Sequence, residues 1–329
     1  MAGKASFPLQ GEYFDDHEDK YTSRDDNVSG TIRPFGLGPR VPMYVVSPWS
    51  KGGWVSSETF DHTSVGRFLE KRFDLTIPAI SLWHRKMCGD LTSCFDFSME
   101  GDAAFPPLPD ASGSVAVLAE HLKRPKILPP RAAEGLFQEE GLRRARPLPY
   151  VLHVDARAVG NAITLGFVND GKVGATFHVY DKLHLDRIPR RYCVEAGKVL
   201  SDDWAIDPKQ GADLLVLGPN GFMRSFTART GAALPTFTAR YDVAGQSVGL
   251  TLENAAQGEL PLTLGNDLYG ANPRKQLTVA PGKKANAIWP ASQSHGWYDF
   301  TIDAEGWTIR LAGRIENGKP GVSDPLMRA

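Results

Sequence analysis

With only three cysteines in 329 residues, the chain cannot carry the disulfide framework that holds small secreted modules together. Cys88 and Cys94 bracket five residues, and two readings stay open for them, a bond in an oxidising compartment or two buried thiols. Cys193 lies in a strand-like run and reads as a small core residue. An excess of one charge sign is missing too: 37 basic against 38 acidic residues leave a formal net charge of -1. No whole-chain field therefore draws the protein onto nucleic acid or an anionic membrane. No apolar run approaches the roughly 20 residues that cross a bilayer as a helix, and Met1 to Gly11 lack the apolar stretch of a signal peptide. What remains, 42% hydrophobic and 23% charged residues, is the composition of a globular chain long enough for two or three domains with real cores.

The most informative pattern is internal. Gly160, Ile163, Leu165, Phe167 and Asn169 recur as Gly245, Val248, Leu250, Leu252 and Asn254, each pair 85 positions apart. The same shift carries Val194 onto Val279, Gly197 onto Gly282, Trp204 onto Trp289, Gly221 onto Gly306 and Phe222 onto Trp307. Ten matches under one shift, with paired tryptophans among only seven in the chain, mark a tandem duplication. Within each copy, short alternating runs such as Ala162 to Val168 and Phe300 to Leu311 are separated by Asn-Asp-Gly, Pro-Asn-Gly and Ala-Glu-Gly turns. That texture predicts an antiparallel β-sandwich per copy. Gly221 and Gly306 fall at hairpin tips where a positive φ favours glycine, and Trp204 and Trp289 read as core centres rather than ligand-stacking residues. Trp297 and Tyr298 beside His295 form a weaker aromatic group, a candidate face for a bilayer interface.

Upstream of the repeats the texture differs. Residues 1 to 40 are polar and punctuated by Gly and Pro, a loop rather than a domain. Val41 to Pro48 is a short run of β-formers ended by proline, which predicts a buried strand. After Asp61-His62-Thr63-Ser64, apolar Val65, Phe68, Leu69 and Phe73 recur at helical spacing behind short polar capping residues, so an amphipathic helix is expected over 64–73. A strand, a loop and a helix are the local signature of an α/β layer, yet one such unit cannot close a sheet. From Phe105 to Pro149 the composition is that of a Pro- and Arg-rich linker with a short helix at Ser114 to Leu122. Its Arg143, Arg144 and Arg146 suit a solvated face or phosphate-bearing headgroups.

Special residues crowd into one stretch, Gly36 to Trp54 followed by Phe60-Asp-His-Thr-Ser64. It supplies a strand end, a glycine-bearing loop, then a carboxylate and an imidazole at a helix start. Ligands collect at strand ends of helix-covered sheets, and a helix amino end favours an anion. Asp61 and His62 are therefore candidate ligands for a metal or a phosphate; the competing reading makes Asp61 a helix cap and His62 its satisfied neighbour.

The wording Gly36-Leu-Gly-Pro-Arg-Val-Pro-Met-Tyr-Val-Val-Ser-Pro-Trp-Ser-Lys-Gly-Gly-Trp-Val55, then Phe60-Asp-His-Thr-Ser-Val-Gly-Arg-Phe-Leu-Glu-Lys-Arg-Phe73, then Cys88-Gly-Asp-Leu-Thr-Ser93, resembles the later part of the catalytic domain of bacterial phosphocholine-specific phospholipases C. These belong with acid phosphatases in the phosphoesterase family. The repeats resemble the paired carboxyl-terminal β-domains of the same enzymes. The resemblance implies hydrolysis of phosphatidylcholine or sphingomyelin to a phosphorylated headgroup and a neutral lipid, on a core like that of alkaline phosphatases. It further implies a divalent metal ion, a phospholipid substrate with peripheral membrane contact, no nucleic-acid partner, and a secreted or periplasmic location. The mechanism it implies needs a hydroxyl nucleophile, a metal ion to neutralise phosphoryl charge and an acid for the leaving alcohol. Residues 1 to 35 do not match the family's Glu-Asn metal motif, its nucleophile or its Phe-Asp-His-Val motif, so a missing amino-terminal catalytic portion is the expected partner and the chain alone is expected to be inactive. Asp61 and His62 match the family's Phe-Asp-His-Thr-Ser segment without an assigned role, His62 being the stronger catalytic candidate.

The expected fold class is mixed: a remnant of an alkaline-phosphatase-like α/β domain at 1–107, a linker at 108–147, then β-sandwich repeats at 148–230 and 234–318. The competing functional expectation is a non-catalytic lipid- or partner-binding module, or an inactive truncated product.

Overall fold

The computed structural model describes residues 37, 41–98, 104, 107–108, 110–125, 141–187, 189–232 and 235–326. Helices come first: α1 (His62–Phe73), α2 (Leu82–Met87) and α3 (Ser114–Leu122), with a 3-10 turn at Thr92–Cys94. After the short β1 (Arg144–Ala145) the first copy contributes β2 (Leu152–Val159), β3 (Ala162–Asn169), β4 (Ala175–Asp181), β5 (Arg190–Val194), β6 (Lys198–Ala205), β7 (Ala212–Leu217) and β8 (Met223–Ala228). The second contributes β9 (Thr236–Asp242), β10 (Ser247–Glu253), β11 (Leu260–Gly265), β12 (Lys275–Val279), β13 (Lys284–Pro290), β14 (Trp297–Ala304) and β15 (Trp307–Arg314), and β16 (Gly321–Val322) closes the series. Shifted by 85, β5 falls on β12 without offset, and the other pairs agree within a residue or two at most of their ends.

The two copies do not stand apart as separate sandwiches. One sheet runs β13-β10-β9-β2-β3-β6 and the other β12-β11-β14-β15-β8-β7-β4-β5. Each sheet is continuous across the copies because β2 meets β9 at Ala156 and Phe237, and β8 pairs β15 from Ala228–Trp307 to Met223–Ala312. All the ladders in both sheets are antiparallel. Alternation puts Phe237 and Ala239 of β9, and Val248, Leu250 and Leu252 of β10, into one core that also holds Leu165, Phe167 and Phe177 of the first copy. Burying each such aliphatic or aromatic side chain stabilises the fold by about 1.5–3 kcal/mol.

The matched residues now have physical reasons. Asn169 is fully buried where β3 ends, and its amide donates to the carbonyls of Val173 and Val194, both at 2.9 Å, while its oxygen accepts from Gly171 N at 3.0 Å. Asn254 repeats this with Gly258 and Val279 at 2.8 Å and Ala256 N at 2.9 Å, every partner shifted by 85. One side chain thus satisfies three backbone groups that leave the ladder at that point. Gly221 and Gly306 sit at φ 71° and 84° at the tips joining β7 to β8 and β14 to β15, as expected. Trp204 and Trp289 are buried, the latter stacked on Phe300 at 4.4 Å between ring centres. Trp297 and Tyr298 are core residues as well, and Trp297 Nε1 donates to Val322 O at 3.1 Å. They do not form an exposed aromatic face.

The linker is tied down where it enters the sandwich. β1 pairs β16 antiparallel, Val55 bridges to Ala145 in parallel, and the Arg146 guanidinium is buried 4.4 Å from the Trp54 ring centre. Arg146 is part of this strap rather than of a solvated face.

One expected element does not form. Residues 41–46 run without a strand assignment, with Tyr44 89% and Val46 92% exposed. β-forming side chains cannot make a strand without a neighbour whose N–H and C=O groups complete the ladder, and among the described residues none lies beside this run. Helix α1 does form, but Val65, Leu69 and Phe73 of its apolar face stay exposed. All three cysteines are free thiols.

Two outcomes follow from this architecture. Asn169→Ala and Asn254→Ala each remove the donor for two carbonyls in a dry site and should lower the unfolding free energy by about 2–4 kcal/mol, read as a fall in the urea midpoint at constant slope. Amide hydrogen exchange should be faster in α1 than in β3 or β10, because its apolar face lacks cover.

Candidate functional site

The sequence places Asp61 before the first turn of α1, and both of its oxygens are used. Oδ1 accepts from Thr63 N at 2.9 Å, Ser64 N at 3.2 Å and Thr63 Oγ1 at 2.6 Å, while Ser64 Oγ returns an acceptor to Asp61 N at 3.0 Å. This is a full capping box, with the carboxylate at the positive end of the helix dipole. Oδ2 is turned the other way and lies 2.6 Å from His84 Nδ1. The buried Cys88 thiol faces the same carboxylate. His84 and Cys88 stand one turn apart, and Cys88 N donates to His84 O at 3.0 Å. One carboxylate oxygen, one imidazole nitrogen and one sulfur thereby lie within 4.8 Å of one another.

The sandwich fixes where these groups are held. Trp83, Met87, Cys88 and Cys193 form a second small core, in which Trp83 Nε1 contacts Cys193 Sγ at 3.3 Å. Helix α2 lies close on the loop before β4, where Gly174 N donates to Lys86 O at 2.8 Å. A Cβ at Gly174 would stand 2.8 Å from the backbone carbonyl oxygen of Lys86, so glycine permits this approach. Around the cluster, Arg85 grips Glu70 through two 2.8 Å bonds, Arg67 donates to the Cys88 carbonyl, and Lys71 pairs with Asp90 at 3.2 Å. Every one of these contacts ties α1 to the segment around α2.

Electrostatics follow from these partners. Burial pushes the Asp61 carboxyl upward, but hydrogen bonds from His84 and Thr63 and the His84 charge outweigh it and hold it at about 2. Burial, reinforced by the Asp61 charge, pushes the Cys88 thiol well above its ordinary range. Burial also raises the Glu58 carboxyl, against a hydrogen bond from Ser93 Oγ.

Of the two site residues picked from the sequence, Asp61 is in this cluster and is also the cap. His62 is exposed on the first turn of α1 and stands outside the cluster. His84 and Cys88 had a readable signal, a His-x-x-x-Cys spacing that brings two ligand types within one turn of each other at a helix end, and sequence reading passed over it. Chemically, the arrangement can position a carboxylate and hold a soft donor. Burial beside the Asp61 charge disfavours the free thiolate, so the thiol is poorly suited to be a nucleophile, and the Thr63 and Ser64 hydroxyls are consumed by the cap. A catalytic ion for phosphoryl transfer needs an open, oxygen-rich setting beside a free hydroxyl. These residues do not fit that role.

Comparison with known proteins places the chain. A family model described as bacterial phospholipase C, C-terminal domain, matches it twice, at residues 144–229 and 235–314, and the phosphoesterase family model matches residues 10–76. The two copies of the first model together cover half of the sequence. The chain belongs to the bacterial phospholipase C family. It is 44% identical over 317 residues to the non-hemolytic phospholipase C of Pseudomonas aeruginosa, covering 92% of this chain and 46% of that protein. It is 43% identical over 311 residues to the non-hemolytic phospholipase C of Burkholderia pseudomallei, covering 89% and 44%. Identity to the hemolytic phospholipase C of Pseudomonas aeruginosa is 36% over 349 residues, covering 93% and 47%. The chain thus spans somewhat less than half the length of these relatives. The division between the two matches falls between β8 and β9, so the family's domain model corresponds to one copy of the 85-residue repeat.

The Asp61 carboxyl gives a pH test. Its folded value of about 2 lies below its ordinary 3.8, so the stabilisation it contributes is present above about pH 4 and is lost as pH falls towards 2. Asp61→Ala should cost about 1–2 kcal/mol at neutral pH, with the difference from the parent narrowing in acid, read from urea melts across that range.

Proposed function

We propose that this chain is the carboxyl-terminal portion of a phospholipase C that hydrolyses phosphatidylcholine or sphingomyelin, breaking the phosphodiester bond on the neutral-lipid side to release the phosphorylated headgroup. The observation that carries the reading is the continuity of a phosphoesterase match at 10–76 with two phospholipase C carboxyl-terminal domains. Residues 1–107 are then part of an alkaline-phosphatase-like α/β catalytic domain, 108–147 a linker, and 148–230 and 234–318 the accessory β-repeats. The exposed apolar groups support this: Val41, Met43, Tyr44 and Val46 on one segment, and Val65, Leu69 and Phe73 on α1. Apolar exposure on this scale marks a surface that another element covers, and neighbouring parallel strands and a helix would cover it.

On this reading the nucleophile and the catalytic divalent ion belong to the portion that precedes the matched stretch in the relatives, and His62 is the residue of this chain best placed to face them. It lies exposed at the start of α1, inside the stretch that matches the phosphoesterase family. Secretion or a periplasmic location goes with this reading, as does transient contact with a phospholipid surface.

Assay of the purified chain against a chromogenic phosphocholine ester, with and without added divalent ions, provides the test. No turnover is expected from the chain as it stands. Joining it in frame to the amino-terminal half of the 44%-identical relative should restore hydrolysis, and His62→Gln in that hybrid should lower kcat at least tenfold. Rapid hydrolysis by the unjoined chain would overturn the assignment of the nucleophile elsewhere.

A further inference from the structure

We infer that Asp61, His84 and Cys88 form a binding site for a zinc ion, one that fastens α1 to α2. The donor set decides the metal. A thiolate, an imidazole and a carboxylate are the ligands zinc takes, whereas magnesium and calcium are held by oxygens alone. Among the described residues this is the one group of three such side chains with ligand atoms converging, all within 4.8 Å.

The donors are already positioned by contacts that metal binding would leave intact. Asp61 Oδ1 stays with the backbone of Thr63 and Ser64, which aims Oδ2 away from the helix it caps. His84 and Cys88 are held at one-turn spacing by the Cys88 N to His84 O bond, and α2, which carries His84 and is C-capped by Cys88, is anchored by buried Trp83 and Met87. Such outer contacts fix ligand orientation before the ion arrives. In a tetrahedral site the ligand atoms stand roughly 3.5 Å apart, so the Asp61 to His84 pair at 2.6 Å opens by roughly 1 Å as the ion replaces the shared proton. The thiol proton leaves to solvent at the same time, and imidazole keeps its remaining proton on Nε2. The His84 side chain is 28% exposed and Asp61 13%, so the cluster lies near the surface although His84 Nδ1 itself is buried, and the ion enters as the pair opens.

The inference does not depend on the catalytic reading, and its test reads binding rather than hydrolysis. The chelator-treated full chain is titrated with Co2+ as the spectroscopic stand-in for Zn2+, and Zn2+ is then added in competition. Expected are about one ion per chain, a thiolate-to-cobalt charge-transfer band in the near ultraviolet, strong tetrahedral bands in the visible, and their loss on zinc addition. Zinc should also raise Tm and slow amide exchange in α1. His84→Gln and Cys88→Ser should each weaken binding at least tenfold, while His121→Gln on α3, outside the cluster, should leave it unchanged. His84→Gln keeps a polar group at a partly exposed position, so it tests the site even if Cys88→Ser fails to fold. Absence of the charge-transfer band would overturn the assignment. So would binding of equal strength in the parent and His84→Gln.

Discussion

The pairing of β8 with β15 is the contact on which the rest of this structure depends. It makes the eight-stranded sheet run unbroken through both copies, as β2 with β9 does for the six-stranded one, so neither copy has an edge where it meets the other. An exposed edge at that position would be a row of unpaired N–H and C=O groups. Under this seam lies Arg224, buried at 0% exposure, which donates to the carbonyls of Met223 at 2.7 Å and Ala312 at 2.9 Å and to the hydroxyls of Tyr298 at 2.9 Å and Tyr241 at 3.3 Å. Three of those four acceptors come from the second copy. A buried cation is costly unless its donors are filled, so Arg224 tolerates only an arrangement in which both copies are in place.

That arginine also breaks the repeat. Shifting by 85 carries Arg224 to Ile309, while Tyr241 and Tyr298 correspond to Ala156 and Asp213. The two copies meet around an approximate twofold relation, and an identical polar cluster is absent from its other end. There the corresponding region is apolar, with Ala156, Ile163, Phe226 and Ile309 around it. Duplication supplies two equivalent surfaces, and divergence at a few seam positions then gives the pair one defined register, which is a recognised use of buried polar residues.

Much of the sandwich was legible because its determinants are local. The Gly221 and Gly306 tips, the β-alternation and the buried Trp204 and Trp289 all follow from spacing alone. The side-by-side fusion was not legible, since strands β2 and β9 look no different in sequence whether they end a sheet or continue one. The same reason explains Val41 to Val46. Its composition is that of a strand, but strand formation is decided by a neighbour, and composition carries no information on whether one is present. Helix α1 shows the opposite case: Asp61 and Ser64 cap it with groups three residues apart, so it forms even with much of its apolar face open. In the candidate site, Asp61 was found through its cap, and its second oxygen was missed because His84 is 23 positions away in sequence and is brought near only by the docking of α2.

That docking shows how the β-repeats bear on the helical layer before them. Trp83 and Met87 reach the first copy through Cys193 and Gly174, and α2 in turn presents His84 and Arg85 to the two ends of the acidic side of α1, Asp61 and Glu70. Tyr150, at the entry to β2, adds a bond by accepting from Thr59 N at 2.9 Å through its hydroxyl. A small, half-covered helical layer cannot hold itself together by burial, because too little of its surface is removed from water. It is held by ion pairs and caps referred to a rigid neighbour. The β-repeats therefore act as the reference frame for α1, and any element that docks on Val65, Leu69 and Phe73 meets a helix whose position the sandwich has already set.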